Sequence, residues 1–282
     1  MNKTYRRSSA AFALCSLLLL LLAACARPGP SQQDRAAASA VLSRYRQISQ
    51  AAEKSVPQAS AHMSIRAGKN TAEGAESRRV TALLWGNSEK GSPVRLDVMA
   101  GVGASVAHVR ESEEGLVLYL PRDNRAYFCP SGQSRQALGK LNVPIPLNLA
   151  GLSALLQGRF GDVFLPDPKK QASLLADGGV STALVPGEGR LGGTLFLTAG
   201  GIPFRWADPS SGWTMELGYD SESRLPQPKR IEAKGSDSRF AIVIVKLRET
   251  PPAPYSPKQT DLAVPADTVW DSLIDTQHGP SL

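Results

Sequence analysis

Cys25 is the residue whose setting most plainly implies chemistry. It follows Leu22-Ala23-Ala24, and ahead of these lie a positive start (Lys3, Arg6 and Arg7) and an apolar stretch that includes Leu17 to Leu22. A charged start, a short apolar core and small residues before a cleavage point define an export signal. The apolar core is too short to span a bilayer comfortably. Cleavage after Ala24 is therefore expected, leaving the Cys25 thiol beside a new amine. Cys15 departs with the signal, so Cys129 is the one cysteine left besides Cys25, and no intramolecular disulfide is expected. Placed after Tyr127-Phe128, Cys129 reads as a half-buried strand residue rather than a nucleophile.

Other reactive patterns are weak. Gly187-Glu188-Gly189-Arg190-Leu191-Gly192 has dinucleotide-site spacing, but that chemistry needs a helix to follow the glycines so that its N-terminus faces the phosphates. A strand starting near Thr194 follows instead, which makes the segment a hairpin connection. His62, His108 and His278 are far apart and lack ligand-spaced partners, so each reads as a surface or strand histidine and no metal or other cofactor is expected. The acidic run Glu111 to Glu114 reads as a solvated turn. There is no Gly-x-Ser-x-Gly elbow and no Ser-x-x-Lys in a plausible helix. The expectation is a protein that is not an enzyme, although a triad of dispersed residues stays open because catalytic groups need not be neighbours in sequence.

The elements that must position these residues are mostly strands. Removal of 24 residues from the 282 leaves 258, enough for one large or two small domains. The signal carries three of the 32 basic residues and no acidic ones, so the net charge falls from +7 to +4. That small, scattered excess gives no argument for nucleic acid. Asp34 to Lys54 reads as a helix with Val41, Tyr45, Ile48 and Ala52 on one face. Strands are expected at Ala61 to Ala67, Arg79 to Trp85, Val94 to Met99, Ala104 to Glu111, Leu116 to Leu120 and Arg125 to Cys129, joined by short polar connections. Two helices interrupt them, Ser134 to Leu141 and Leu147 to Leu156. Strands resume at Thr194 to Thr198, Pro203 to Ala207, Trp213 to Tyr219, Arg230 to Lys234 and Arg239 to Arg248. The prolines from Pro251 to Pro265 suggest an extended, poorly packed tail, and Ala266 to Asp275 a short amphipathic helix. The pattern is an antiparallel meander with one apolar face, which must be covered. Tightly packed helices would make the interior a core, whereas helices packed as a lid would make it a lipid pocket.

Two resemblances sharpen this reading. Leu22-Ala23-Ala24-Cys25 resembles the lipobox of bacterial lipoproteins, in which the cysteine sulfur takes a diacylglycerol and the freed amine a third acyl chain. Ala26 lacks the aspartate that often retains such proteins at the inner membrane, which points to the outer membrane of a Gram-negative bacterium, with the domain facing the periplasm. Further along, Val143-Pro144-Ile145-Pro146-Leu147-Asn148 and the apolar helix ending in Leu155-Leu156-Gln157-Gly158 resemble the LolB family of outer-membrane lipoprotein receptors. Leu83-Leu84-Trp85-Gly86 with Val94-Arg95-Leu96, the loop Ala100 to Ala104, and Gly212-Trp213 to Asp220 followed by Leu225-Pro226-Gln227-Pro228-Lys229 resemble it in the same order.

The resemblance implies an incomplete antiparallel β-barrel, mainly β with α, whose helices form a lid over an apolar cavity. The implied boundaries are 1–24 for the signal, 25–33 for the acylated cysteine and tether, 34–250 for the lipid-binding domain and 251–282 for the tail. Trp85, Leu96, Trp213, Met215 and Leu217 would line the cavity, with Leu147, Leu152, Leu155 and Leu156 in the lid. Gly101, Val102 and Gly103 would form a membrane-contact loop. The implied partners are a LolA-type periplasmic carrier, acylated lipoprotein cargo and the outer-membrane bilayer. The alternatives are a carrier of another lipid or hydrophobic ligand, and a structural lipoprotein whose helices fill the barrel.

Overall fold

A computed structural model describes residues 31–273 except 56–57, 88, 90, 102, 141–144, 178–179, 189–190 and 221–224. The expected signal, Cys25, Val102, Val143, Pro144 and Ile274 lie outside the described residues. Helix α1 (Gln32–Ser55) opens on a reciprocal cap, in which the Asp34 backbone N–H donates to Ser31 Oγ and the Ser31 hydroxyl and N–H donate to the Asp34 carboxylate. Its buried face is Ala38, Val41, Tyr45, Ser49 and Ala52, at the helical spacing that the apolar pattern predicts.

The strands follow as β1 (Gln58–Thr71), β2 (Gly74–Asn87), β3 (Val94–Ala100), β4 (Ala104–Ser112), β5 (Gly115–Leu120) and β6 (Arg125–Pro130). After helices α2 (Ser134–Lys140) and α3 (Leu149–Leu156) come β7 (Ser173–Asp177), β8 (Val180–Gly187), β9 (Gly193–Leu197), β10 (Pro203–Asp208), β11 (Trp213–Tyr219), β12 (Pro228–Gly235) and β13 (Arg239–Glu249). A short helix α4 (Pro257–Thr260) and strand β14 (Val269–Ser272) complete the described chain. The strands form one sheet in the order β14-β6-β5-β4-β3-β2-β1-β13-β12-β11-β10-β9-β8-β7, antiparallel throughout except for the β14–β6 pair. With β7 and β14 at its ends, the sheet is not closed by hydrogen bonds.

Its curvature follows from what α3 touches. This eight-residue helix contacts β2, β3 and β4 and also β12. Strands β4 and β12 are five positions apart in the sheet, or about 24 Å if it were flat, whereas a helix is only about 10 Å across. The sheet must therefore wrap around the helix. Leu149, Leu152, Leu155 and Leu156 are all buried against the concave face, with Leu84, Leu96, Val109, Leu116 and Leu118 among their cluster. At the end of the sheet formed by β7 and β8, α1 joins the same core, and the Tyr45 hydroxyl donates to the Phe164 carbonyl at 2.7 Å.

Four expectations are corrected. Residues 165–193 contain two strands, β7 and β8, that extend the sheet. The segment expected as an amphipathic helix, Ala266 to Asp275, instead carries β14, because its backbone groups pair with the free edge of β6 (Val269 opposite Arg125, Ser272 opposite Phe128). The proline-rich tail is also bonded down rather than loose. Gln58 donates to the Pro251 carbonyl, Asn87 exchanges two hydrogen bonds with the Tyr255 backbone at 2.8 and 2.9 Å, and Thr268 donates to Asn124. Finally, the hairpin of β1 and β2 is much longer than its apolar core suggests, because the polar residues from Lys69 to Arg79 keep pairing beyond the buried part.

Leu155 is fully buried between α3 and the sheet, and its removal leaves a cavity that neighbours fill only in part. Leu155→Ala is expected to lower unfolding free energy by about 2–5 kcal/mol, read as a shift in the urea midpoint at unchanged slope.

Candidate functional site

The entrance to the concave side is a pocket of about 570 Å³. One wall is the β2–β3 connection, with Asn87, Glu89, Ser92 and Val94. The opposite wall is Leu165 with the β8–β9 connection, Glu188 and Leu191. In a flat sheet β3 and β8 would be eight strand positions apart; curvature brings both against one opening. Helix α3 and the chain leading into it form the floor, through Leu147, Asn148, Ala150, Gly151 and Ala154. The helix therefore has two faces. Its leucines enter the core, and its small residues leave room on the pocket side.

What holds α3 in this position is a buried carboxylate. Glu111, at the end of β4, points to the concave side and is only 7% exposed. Its Oε2 accepts from the Ala150 backbone N–H at 3.0 Å, and its Oε1 accepts from Asn148 Nδ2 at 2.9 Å. Asn148 is the N-cap, and its Oδ1 accepts from the Gly151 N–H at 2.9 Å. Two of the helix's unpaired donors are thus satisfied, and a negative charge sits at the positive end of the helix dipole. At the other end Gly158 takes the left-handed conformation (φ +78°). The Arg159 N–H bonds the Ala154 carbonyl and the Gly158 N–H the Leu155 carbonyl, which stops the helix after its second turn.

The rim is polar. Arg159 pairs with Asp162 at 3.3 Å. Burial lowers the Arg159 pKa from its ordinary value, while the charges of Asp162 and Glu53 act in the opposite direction. Near the Glu111 clamp lies Cys129, fully buried; burial pushes its thiol pKa up and the Glu111 charge adds to the shift. No group of His, Cys, Asp and Glu among the described residues could hold a metal ion.

The predicted residues are only partly brought together. Leu147 lines the pocket and Leu156 borders a small void of about 40 Å³ beside Gln157. Leu96, Leu152, Leu155, Met215 and Leu217 are core residues, and Trp213 packs against that core from a half-buried position with the Arg239 guanidinium 5.6 Å from its ring. Trp85 is a correction. Successive strand residues face opposite ways, and because Leu84 points inward Trp85 points to the outer face, where the Arg95 guanidinium lies 5.0 Å from its ring. Gly101 and Gly103 are exposed in the β3–β4 turn. The Gly187 to Gly192 segment joins β8 to β9 as a hairpin, with Gly187 opposite Gly193. Glu111, which sequence reasoning placed in a solvated turn, is the residue it missed; its strand parity with the inward-facing Val109 was the available signal.

No family model matches the chain, and no curated protein matches it in sequence. Solved structures do share its architecture. A DUF1329 family protein from Desulfovibrio piger is 8% identical with a TM-score of 0.53, covering 79% of this chain and 96% of that one. A domain from Vibrio parahaemolyticus named for outer-membrane lipoprotein sorting is 10% identical with a TM-score of 0.50, covering 77% and 94%. A LolA superfamily protein from Nitrosomonas europaea is 10% identical with a TM-score of 0.48, covering 74% and 94%. The first two matches show a common fold, built on the large, strongly curved sheet that is not closed by hydrogen bonds. Among the described residues no helix is long and apolar enough to cross a membrane.

Glu111→Ala is expected to destabilise the protein by about 1–3 kcal/mol, since it leaves the Ala150 N–H and one Asn148 amide donor without their partner. Amide exchange should accelerate in α3 while β11 and β12 keep their protection. Cys129 should resist alkylation in the folded protein at mildly alkaline pH and react once the chain is unfolded, measured by mass increase with iodoacetamide.

Proposed function

We propose that this protein is a lipid-anchored carrier of the cell envelope that holds acyl chains at the mouth of its curved sheet and passes acylated lipoproteins to a membrane. The observation that carries the reading is the 570 Å³ pocket between α3 and two facing connections of the sheet, a volume within the ordinary range for a bound organic ligand. Its floor combines Leu147, Ala150, Gly151 and Ala154 with polar groups at the rim, which suits an acyl chain entering below a polar headgroup or peptide. The fold shared with the lipoprotein-sorting domain and the Leu-Ala-Ala-Cys25 motif support the same reading.

On this reading α3 is the lid. Its leucines fill the interior in the closed form, and an acyl chain that extends past the pocket takes their place as the helix tilts away from the Glu111 clamp. Each buried CH₂ is worth about 0.8 kcal/mol, so several acyl chains together hold a lipoprotein firmly, and transfer can run downhill without a nucleotide if the bilayer holds them more tightly than the pocket. The site works by binding rather than by catalysis. A LolA-type carrier is the proposed donor, the inner leaflet of the outer membrane the proposed destination, and the loop from Gly101 to Gly103 the proposed point of membrane contact.

The test uses the protein made without its acyl anchor. It should take a triacylated lipoprotein from a LolA-type donor, and native mass spectrometry should show one cargo or lipid per chain. Ala150→Trp places an indole in the pocket from an exposed position and should cut uptake about tenfold or more without shifting the thermal midpoint. A folded protein that takes up neither lipoprotein nor phospholipid would refute the proposal; uptake of phospholipid alone would replace lipoprotein with free lipid as the cargo.

A further inference from the structure

The outer face of the sheet carries a second constellation, remote from the pocket. His108 on β4 lies opposite Asp97 on β3, and their side chains meet with Nδ1 2.7 Å from Asp97 Oδ1. The other ring nitrogen, Nε2, is 2.9 Å from Ser105 Oγ. A carboxylate only accepts hydrogen bonds, so Nδ1 carries the proton toward Asp97, and Nε2 of the neutral ring is left to accept from the serine hydroxyl. Asp97 is itself held by Arg95, whose Nε is 3.1 Å from Oδ1 and which is steadied in turn by the Trp85 ring and the Asp261 carbonyl. The Tyr119 ring stacks on the imidazole with centroids 6.2 Å apart. The imidazole and carboxylate side chains are 23% and 20% exposed, and Ser105 is open to solvent.

The backbone shows why these residues meet. Ser105 and His108 are three apart, and in a regular strand an odd spacing sends side chains to opposite faces. The register between β3 and β4 shifts at this point: Met99 pairs with Ser105 and Val98 with Ala107, so Val106 is the extra residue of a bulge. The bulge returns Ser105 to the face that His108 occupies. Strand β5 pairs with β4 only from His108 onward, so among the described residues Val106 has no register partner on either side. The bulge thus sets Ser105 at an irregular point of the strand, next to a residue outside the ladder register.

We propose that Ser105, His108 and Asp97 form a serine esterase site on the outer face, acting on carboxylic esters that reach the open surface. Ser105 is the nucleophile and His108 the general base; Asp97 and Arg95 are positioning residues that fix the imidazole's tautomer. The Ser105 oxygen bonds to the ester carbonyl carbon as its proton passes to His108 Nε2. The carbon–alkoxide bond then breaks, and the leaving alcohol takes that proton. Water, deprotonated by the same nitrogen, attacks the acyl carbon; the bond from that carbon to Ser105 Oγ breaks, Oγ takes the proton back from Nε2 and the carboxylic acid leaves, so one ester and one water give one acid and one alcohol. Exposed Val106 and half-buried Met99 beside Ser105 favour a short apolar acyl group.

The experiment treats the full folded chain with a fluorophosphonate probe and with p-nitrophenyl butyrate. The expected result is a single probe adduct mapped to Ser105 by peptide mass spectrometry, turnover of the ester, and loss of both in Ser105→Ala. Asp97→Asn should slow labelling about 100-fold or more by reversing the imidazole tautomer, with an unchanged thermal midpoint. Asp97→Glu should recover part of the rate, a response that a purely structural polar ladder would not give. Labelling no greater than that of heat-unfolded protein, labelling that survives in Ser105→Ala, or a rate indifferent to Asp97→Asn would each overturn the proposal.

Discussion

Glu111 sits where two kinds of order meet. The sheet places its carboxylate on the concave side, and the carboxylate places α3 by accepting from Asn148 and from the Ala150 backbone. The placement of α3 on the concave side rests on that junction. The leucines of α3 reach the core because the helix begins there and not a turn earlier. The pocket exists because the opposite face of the helix carries Ala150, Gly151 and Ala154. Taking a carboxylate out of water is costly unless hydrogen bonds replace the lost solvent, and the helix N-terminus supplies them. The interaction is therefore mutual: the charge is tolerated because of the helix, and the helix is anchored because of the charge.

Curvature is the second constraint, and it separates inner from outer chemistry. The concave face is apolar and occupied, while the outer face carries arginines, carboxylates and the Trp85 ring in cross-strand rows. Trp85, Arg95 and Arg110 occupy directly opposed positions, and so do Leu83, Asp97, His108 and Tyr119 two residues along each strand, on the same face. The polar tail crosses this outer surface and is tied to it at Asn87, Arg95 and Asn124. The two faces can therefore serve different ends without disturbing one another, since a strand residue is committed to one side by its parity.

Most strands were legible because alternation is a local signal. Trp213–Tyr219 has the same bounds in sequence and structure, and helix α1 differs from its expected limits by two residues at the start and one at the end. What escaped was set by distant partners. The segment around Val269, Trp270 and Leu273 satisfies a helical spacing, yet it is a strand because β6, far away in sequence, offers an open edge. Strands β7 and β8 were hidden by short apolar runs and by Pro186. For the site, Leu147 and the presence of α3 were legible from the apolar run after Pro146, whereas the Asn148 cap (which starts the helix two residues later than expected), Glu111 and the meeting of Ser105 with His108 were not. A buried charge looks like a turn residue until its partner is known, and a bulge of one residue reverses every inference drawn from parity.

The strand that covers β6 joins it 144 residues later in the chain, at the contact between Thr268 and Asn124. An uncovered β edge is a template for pairing with a second molecule. During synthesis from the N-terminus, β6 stays open to such pairing until residues 269–272 have emerged. The asparagine and arginine ties along the tail hold the segment before β14 against the same outer surface. Without Val269–Ser272 the β6 edge would lie bare, so this four-residue strand bears on whether the protein stays apart from its neighbours in a crowd.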